Sequence, residues 1–461
     1  MSKHRLFGTD GVRGVANVEL TASLALQVGM AAGRWACGTR GLAETDVKPV
    51  VVIGRDTRLS GDMLEAAIAA GLAAMGVDVL NVGIVPTPAV AQIVLALGAA
   101  AGIVISASHN PFEDNGIKFF GANGRKLPDS VEDDIEAILG RLAEIKVPIG
   151  GGIGRIREDR EPVQLYLDRV KATVGGRRAA PLEGLTLVMD CANGAAYELA
   201  PRLFEDLGAT VSVMHAEPDG VNINVHCGST RPQSMAAKVL ETRANAGLAF
   251  DGDADRVLLA DEHGNIVDGD RMMAILAIHL HDLGELVGDV VVSTIMSNVG
   301  LEQALKQRQI KLHRTDVGDR YVGEAMDSLG AAVGGEQSGH ILLPGLTPTG
   351  DGLVTALHVL RVMRLSGKSL SELAAVVESC PQLLKNVRVR SKHGWREDMD
   401  IQRAIQQGQE RLGSAEWLSV RPSGTEPLIR VMAQGTDREL VESVVHDICD
   451  VIQRKLGSQV A

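Results

Sequence analysis

The sharpest chemical signal in the chain is Asp251-Gly252-Asp253-Ala254-Asp255-Arg256, three carboxylates within five residues, directly after the apolar run Gly247-Leu248-Ala249-Phe250. Anions this close repel one another unless something neutralises them. At alternate positions they can bend around one hard divalent cation such as Mg²⁺, with Gly252 easing the turn. The spacing opens like an EF-hand loop, but Arg256 stands where that motif needs its sixth-position glycine, so a calcium loop is not expected. The plain alternative is an acidic surface turn, and such turns seldom abut so apolar a strand.

Four further polar islands carry usable groups. Ser106-Ala107-Ser108-His109-Asn110-Pro111 follows the apolar strand Gly102-Ile103-Val104-Ile105. A serine at a strand end beside a histidine is a candidate nucleophile or phosphoryl carrier; a simple turn in which Ser108 and Asn110 cap the backbone needs the same residues. Gly334-Gly335-Glu336-Gln337-Ser338-Gly339-His340 leaves room for a ligand, and Glu336 and Ser338 offer acceptor and donor groups suited to sugar hydroxyls or an amine. Arg421-Pro422-Ser423-Gly424-Thr425-Glu426-Pro427, with Arg430 shortly after, reads as an anion clamp. Its two guanidiniums, two hydroxyls and tight-turn N–H groups match the acceptors of a phosphate. Phe7-Gly8-Thr9-Asp10-Gly11-Val12-Arg13-Gly14 lacks the spacing and lysine of a P-loop, but Arg13 is placed to neutralise a phosphate. A carrier, a cation loop, a hydroxyl reader and a phosphate clamp complement one another, which favours a single interdomain cleft.

The elements that must position these groups alternate. A β-branched run, a polar or glycine turn and a helix-like stretch recur at Val50–Asp56 with Met63–Met75, at Leu185–Asp190 with Ala195–Leu207, and at Val290–Thr294 with Asn298–Lys306. That cadence predicts α/β layers and suggests three related units. Further strands are expected at 77–80 and 102–105, and helices at 162–174 and 370–378. Asp261–Asn265 reads as a hairpin turn. The tail predicts a small α+β unit: strand 386–390, helix 395–407, strands 417–421 and 428–432, and a final helix over 437–456. The division expected is 1–158, 159–262, 263–380 and 381–461.

Bulk properties narrow the classes. At 461 residues the chain exceeds one comfortable core, and 45% hydrophobic residues argue against disorder. A net charge of −12, with only six Phe, three Trp and three Tyr, disfavours nucleic acid. It leaves room for a small phosphorylated ligand held by local arginines. Five scattered cysteines (37, 191, 227, 380 and 449) form no CxxC pair and suit a reducing compartment. The N-terminus shows no apolar signal core and no stretch reads as a membrane span, so a cytoplasmic location is expected.

Four motifs in order (Gly8-Thr9-Asp10-Gly11, Ser106 to Pro111, Asp251 to Arg256, and Arg421 to Pro427) mean that the chain resembles the α-D-phosphohexomutase family over essentially its full length. The resemblance implies three similar mixed α/β/α domains and a smaller C-terminal α+β domain like the TATA-binding fold, around a central cleft. It implies that Ser108 is a phosphoserine, with Asp251, Asp253, Asp255 and a phosphate oxygen on Ser108 as Mg²⁺ ligands. Glu336 and Ser338 would read sugar hydroxyls, and Arg421, Ser423, Gly424, Thr425 and Arg430 would grip the non-reacting phosphate. His109 and Lys118 are both candidates for the general base; lysine can serve only if its proton affinity is lowered. Gln337 is similar to the family's glucosamine branch, whereas the mannose and glucose branch more often carries Met there. The implied reaction exchanges the 6- and 1-phosphates of a hexosamine through a 1,6-bisphosphate, on the route to UDP-N-acetylglucosamine and the bacterial cell wall, and a homodimer is implied. Rival readings are a phosphomannomutase or phosphoglucomutase, a phosphatase, and a non-enzymatic sugar-phosphate sensor.

Overall fold

The computed structural model describes residues 5–8, 10–39, 47–176, 180–423 and 427–457. It contains four sheets, one per domain. In domain I the strand order is Val12–Val15, Asp114–Gly121, Ala101–Ile105, Val50–Arg55, Asp78–Ile84, Ile156–Glu158. Domain II runs Ile266–Val267, Val257–Asp261, Ala246–Phe250, Thr186–Asp190, Thr210–Met214. Domain III runs Ile341–Leu342, Val333–Gly335, Val290–Thr294, Lys311–Thr315.

These three sheets repeat one plan. A central strand has a parallel neighbour on each side, and one of those neighbours pairs antiparallel with the strand that follows it in the chain. The connections between the third parallel strand and its antiparallel partner are residues 106–113, 251–256 and 336–340. They carry Ser108, the three aspartates, and Glu336 with Ser338 respectively. The three chemical loops therefore occupy one topological position in three copies of one motif.

Alternation along the strands explains the layering. In domain I, Val51, Ile53, Ile103 and Ile105 face a core shared with the helices Ala22–Thr39 and Ser60–Ala74, whereas Val52, Val104 and Phe120 face the other way. That second face joins a core continuing through Tyr166, Phe250 and Leu353 into domains II and III. Domain IV has its own core under an antiparallel sheet ordered Gln382–Arg388, Leu428–Gln434, Leu418–Pro422. It is pinned to domain III by buried Gln434, whose amide donates to the Ser297 carbonyl (3.0 Å) and accepts from the Val299 N–H (2.9 Å). Among the described residues, no helix is long and apolar enough to cross a membrane.

Several element limits differ from expectation for local reasons. The helix expected over 395–407 is Met399–Leu412, because Asp398 caps it through the N–H groups of Asp400 and Ile401. The helix expected over 195–207 starts at Leu199, since the Ala195 N–H is bonded to Gly252 and a turn precedes the first regular residue. The helix expected over 370–378 begins with a Ser369–Glu372 capping box but ends at Ala374. The strand expected over 386–390 is Gln382–Arg388, set by pairing along Leu428–Gln434.

Candidate active site

Ser108 lies just beyond the strand Ala101–Ile105 in a left-handed backbone conformation (φ 52°) and is buried. Such strain persists only where the surroundings over-determine it, and here they do. The Ser108 N–H donates to Ser106 Oγ (2.9 Å), which donates to buried Asp56 (2.7 Å). Arg58, fully buried and paired with Asp56 at 2.9 Å, donates to the carbonyls of Ser108 and Asn110 at 2.9 Å each. From domain II, Asn224 Nδ2 donates to the same two carbonyls at 2.9 and 3.2 Å. The loop backbone is thus held from two domains.

That grip aims the hydroxyl at the aspartate loop: Ser108 Oγ donates to Asp251 Oδ2 at 2.6 Å. A Cβ on Gly252 would stand 2.4 Å from the Ser108 carbonyl oxygen, so the two loops approach as closely as a glycine permits. Asp251, Asp253 and Asp255 are all buried, and their ligand oxygens converge within 4.8 Å. Oδ1 of Asp253 and Oδ1 of Asp255 are buried without a hydrogen bond. Burial, then repulsion from Asp255 and Asp253, drives the Asp251 carboxyl far above the usual range. Orphaned oxygens on mutually repelling carboxylates are the donor set that a hard divalent cation satisfies, so these residues fit such an ion.

Lys118, on the strand Asp114–Gly121, is buried among anions: Asp253 at 2.7 Å, Asp10 at 3.4 Å and Asp255 at 3.6 Å. Burial works to discharge its ammonium, but Asp10, Asp253 and Asp255 outweigh it and the net shift is upward. That is opposite to what a general base needs, so in this arrangement Lys118 is a fixed positive charge. His109 is different. Burial, then the charges of Arg256 and Arg13, lower it to about 4, so its ring is neutral near pH 7 with Nδ1 3.2 Å from Ser108 Oγ. Arg13 itself pairs with Asp10, on the strand next to that of Lys118.

Glu336 sits in the turn between Val333–Gly335 and Ile341–Leu342 and accepts from Ser338 Oγ at 3.1 Å. Arg256 ties this loop to the aspartate loop, with Nη2 3.9 Å from Glu336 and Nε 3.7 Å from Asp255. Domain IV holds Arg421 and Arg430 directly opposite each other on antiparallel strands. Like charges so placed are unfavourable without an anion between them. Burial and Arg430 together lower the proton affinity of the Arg421 guanidinium, and Arg430 donates to buried Ser423 at 3.4 Å. Arg421 Nη2 also reaches Met296 of domain III at 3.8 Å. Gly424 and Thr425 lie outside the described residues.

The chain therefore gathers Ser108, His109, Lys118 and the three aspartates into one cluster, attaches Glu336 through Arg256, and places the arginine pair on a separate domain. Sequence reasoning missed Arg58, Asn224 and Thr87, the last donating to Asp253 Oδ2 at 2.5 Å. The only local signal was the polar run Asp56-Thr57-Arg58 at a strand end.

Models of phosphoglucomutase/phosphomannomutase match the chain in four consecutive pieces: α/β/α domain I over residues 4–146, domain II over 164–264, domain III over 268–380, and the C-terminal domain over 384–451. The chain belongs to the α-D-phosphohexomutase family. It is 51% identical over 451 residues to the phosphoglucosamine mutase of Carboxydothermus hydrogenoformans, covering 98% of this chain and 99% of that one. With the phosphoglucosamine mutase of Desulforamulus reducens the identity is 49% over 449 residues, 97% of this chain and 99% of the relative. The crystal structure of a phosphoglucomutase/phosphomannomutase family protein from Burkholderia thailandensis shares the fold, with a TM-score of 0.79 at 23% identity, covering 99% of this chain and 100% of that one. As a member of this family, the chain is a phosphohexomutase-type isomerase of three α/β/α domains and a smaller C-terminal α+β domain.

Proposed function

We propose that the protein interconverts glucosamine 6-phosphate and glucosamine 1-phosphate, with Ser108 as the phosphoryl carrier. The observation that carries this reading is the 2.6 Å contact of Ser108 Oγ with the converging aspartates, in a chain about half identical to full-length phosphoglucosamine mutases. Phosphoryl transfer needs alignment and charge control more than covalent machinery. A Mg²⁺ ion held by Asp251, Asp253 and Asp255 would withdraw charge from the phosphate on Ser108.

The chain's own residues supply the rest. Arg421, Ser423 and Arg430, with Gly424 and Thr425, hold the phosphate that does not react. Glu336 and Ser338 orient the sugar by its hydroxyls and amine. Neutral His109 accepts the proton of the attacking hydroxyl, while Lys118 and Arg13 hold positive charge beside the transferring group. After the first transfer the 1,6-bisphosphate turns end for end, and the other phosphate returns to Ser108.

The decisive experiment compares glucosamine, glucose, mannose and N-acetylglucosamine 6-phosphates as substrates of the purified protein with Mg²⁺ and a catalytic amount of hexose 1,6-bisphosphate. Highest kcat/KM for glucosamine 6-phosphate is expected. Preference for mannose or glucose 6-phosphate would move the protein to the other branch of the family, and absence of turnover with all four would reject the reading.

A further inference from the structure

Domain II contains a second convergence of ligating atoms, apart from the aspartate loop. Asp190 ends the strand Thr186–Asp190, His215 follows the parallel neighbour Thr210–Met214, and Cys227 precedes the turn Gly228–Thr230. A carboxylate oxygen, an imidazole nitrogen and the sulfur of these three residues lie within 4.8 Å of one another. Asp190 and Cys227 are fully buried, while the His215 side chain keeps 32% of its exposure. Spread over three segments, they form no spacing motif that a sequence would reveal.

We propose that Asp190, His215 and Cys227 form a second cation site, suited to a borderline-soft divalent ion such as Zn²⁺. The first support is an orphan. His215 Nδ1 is buried and stands 3.1 Å from Asp190 Oδ2, yet the two are not hydrogen-bonded. Two ligand atoms on a tetrahedral zinc at about 2.0–2.1 Å are about 3.3 Å apart and point at the ion rather than at each other. The second support is the fixing of the carboxylate. Asp190 Oδ1 accepts from the Ala192 N–H and Oδ2 from the Gly228 N–H, each at 2.9 Å, the outer contacts that orient metal ligands.

Charge and softness select the ion. The Cys227 sulfur that completes the cluster is a soft donor, for which a hard cation such as Mg²⁺ has little affinity, whereas zinc binds thiolate strongly. On binding, the S–H proton leaves to solvent, a metal–thiolate bond forms, and the His215 imidazole gives the lone pair of Nδ1, its ring proton on Nε2. Thiolate and carboxylate then balance the two positive charges in a buried place.

The same segments hold the Ser108 loop. The Asn193 carbonyl accepts from Thr57 Oγ1 at 2.6 Å, and Asn224 grips the Ser108 carbonyl. An ion at this site therefore ties together the part of domain II that braces the carrier loop.

The test titrates Co²⁺ into metal-stripped full-length protein with Mg²⁺ in excess, following thiolate-to-cobalt charge-transfer absorption in the near ultraviolet. The aspartate loop has no sulfur and cannot produce this band. One equivalent is expected to give it, Zn²⁺ to displace it and Mg²⁺ to leave it. Cys227→Ser should abolish the band, His215→Gln should weaken binding at least tenfold, and Cys380→Ser should change nothing. Should Cys227→Ser fail to fold, His215→Gln, at a partly exposed position, decides the matter. No band in folded protein, or one unaltered in both variants, would overturn the proposal.

Discussion

Adding one methyl group at Gly252 perturbs the place where the Ser108 loop meets the aspartate loop. The backbone there is not in the left-handed region, so alanine brings no conformational strain of its own. Its Cβ would lie 2.4 Å from the Ser108 carbonyl oxygen and 2.9 Å from Asn224 Nδ2. Ordinary contact begins near 3.4 Å, so the loops must separate by about 1 Å. Overpacking of this kind costs about 1–3 kcal/mol of stability, which a four-domain chain with large cores survives. A displacement of about 1 Å at reacting groups costs on the order of 100-fold in rate, or about 2.7 kcal/mol in the barrier. The assay is steady-state conversion of glucosamine 6-phosphate by Gly252→Ala, well below its melting temperature. kcat should fall about 100-fold with KM nearly constant, because the clamp is on another domain. A folded variant within threefold of the parent kcat would refute the idea that this close approach aligns the transfer.

Removing a clamp guanidinium should act on binding: Arg421→Ala forfeits a charged hydrogen bond worth about 1.5–3 kcal/mol, so KM should rise about 10- to 150-fold, and an unchanged KM would remove Arg421 from the clamp. Arg58→Met strands a buried Asp56 carboxylate and should cost about 3–5 kcal/mol, with Asp56→Asn in the same chain restoring part of the loss; thermal melts that match the parent would contradict this. His358, half-buried and bonded to Thr173, is lowered from 6.5 to about 4 by desolvation, then Arg361. Its folded form stays neutral while the unfolded chain takes up a proton below pH 6.5, so its contribution is complete above 6.5 and is lost towards pH 4, on the order of 3 kcal/mol. Melting temperatures measured across that window should fall less steeply for His358→Gln, and parallel curves would show that the histidine titrates freely.

Much of this architecture was legible in the residues. Alternating apolar runs gave the strands, and the polar islands at their ends marked Ser108, Asp251 and Glu336 as candidates. What stayed hidden is non-local. That the three islands fill one position in a repeated sheet plan depends on strand pairing, which residue identity does not encode. Arg58 and Asn224 act on the Ser108 loop from distant segments, and neither stands in a motif. Lys118 illustrates a sign that only geometry gives: the sequence shows a lysine free to be base or cation, and three surrounding carboxylates make it a cation. Gln434 stands in none of the motifs, and its buried amide joins domain IV to domain III.

The most direct test follows the phosphoryl group itself. Protein loaded with phosphate from a hexose 1,6-bisphosphate is mixed with glucosamine 6-phosphate, quenched rapidly, and weighed intact by mass spectrometry with the modified residue mapped. One phosphate on Ser108, lost as an equal amount of glucosamine 1,6-bisphosphate appears, is the predicted result, with no loading in Ser108→Ala. Undiminished turnover by Ser108→Ala, or a phosphate mapped to another residue, would contradict the account.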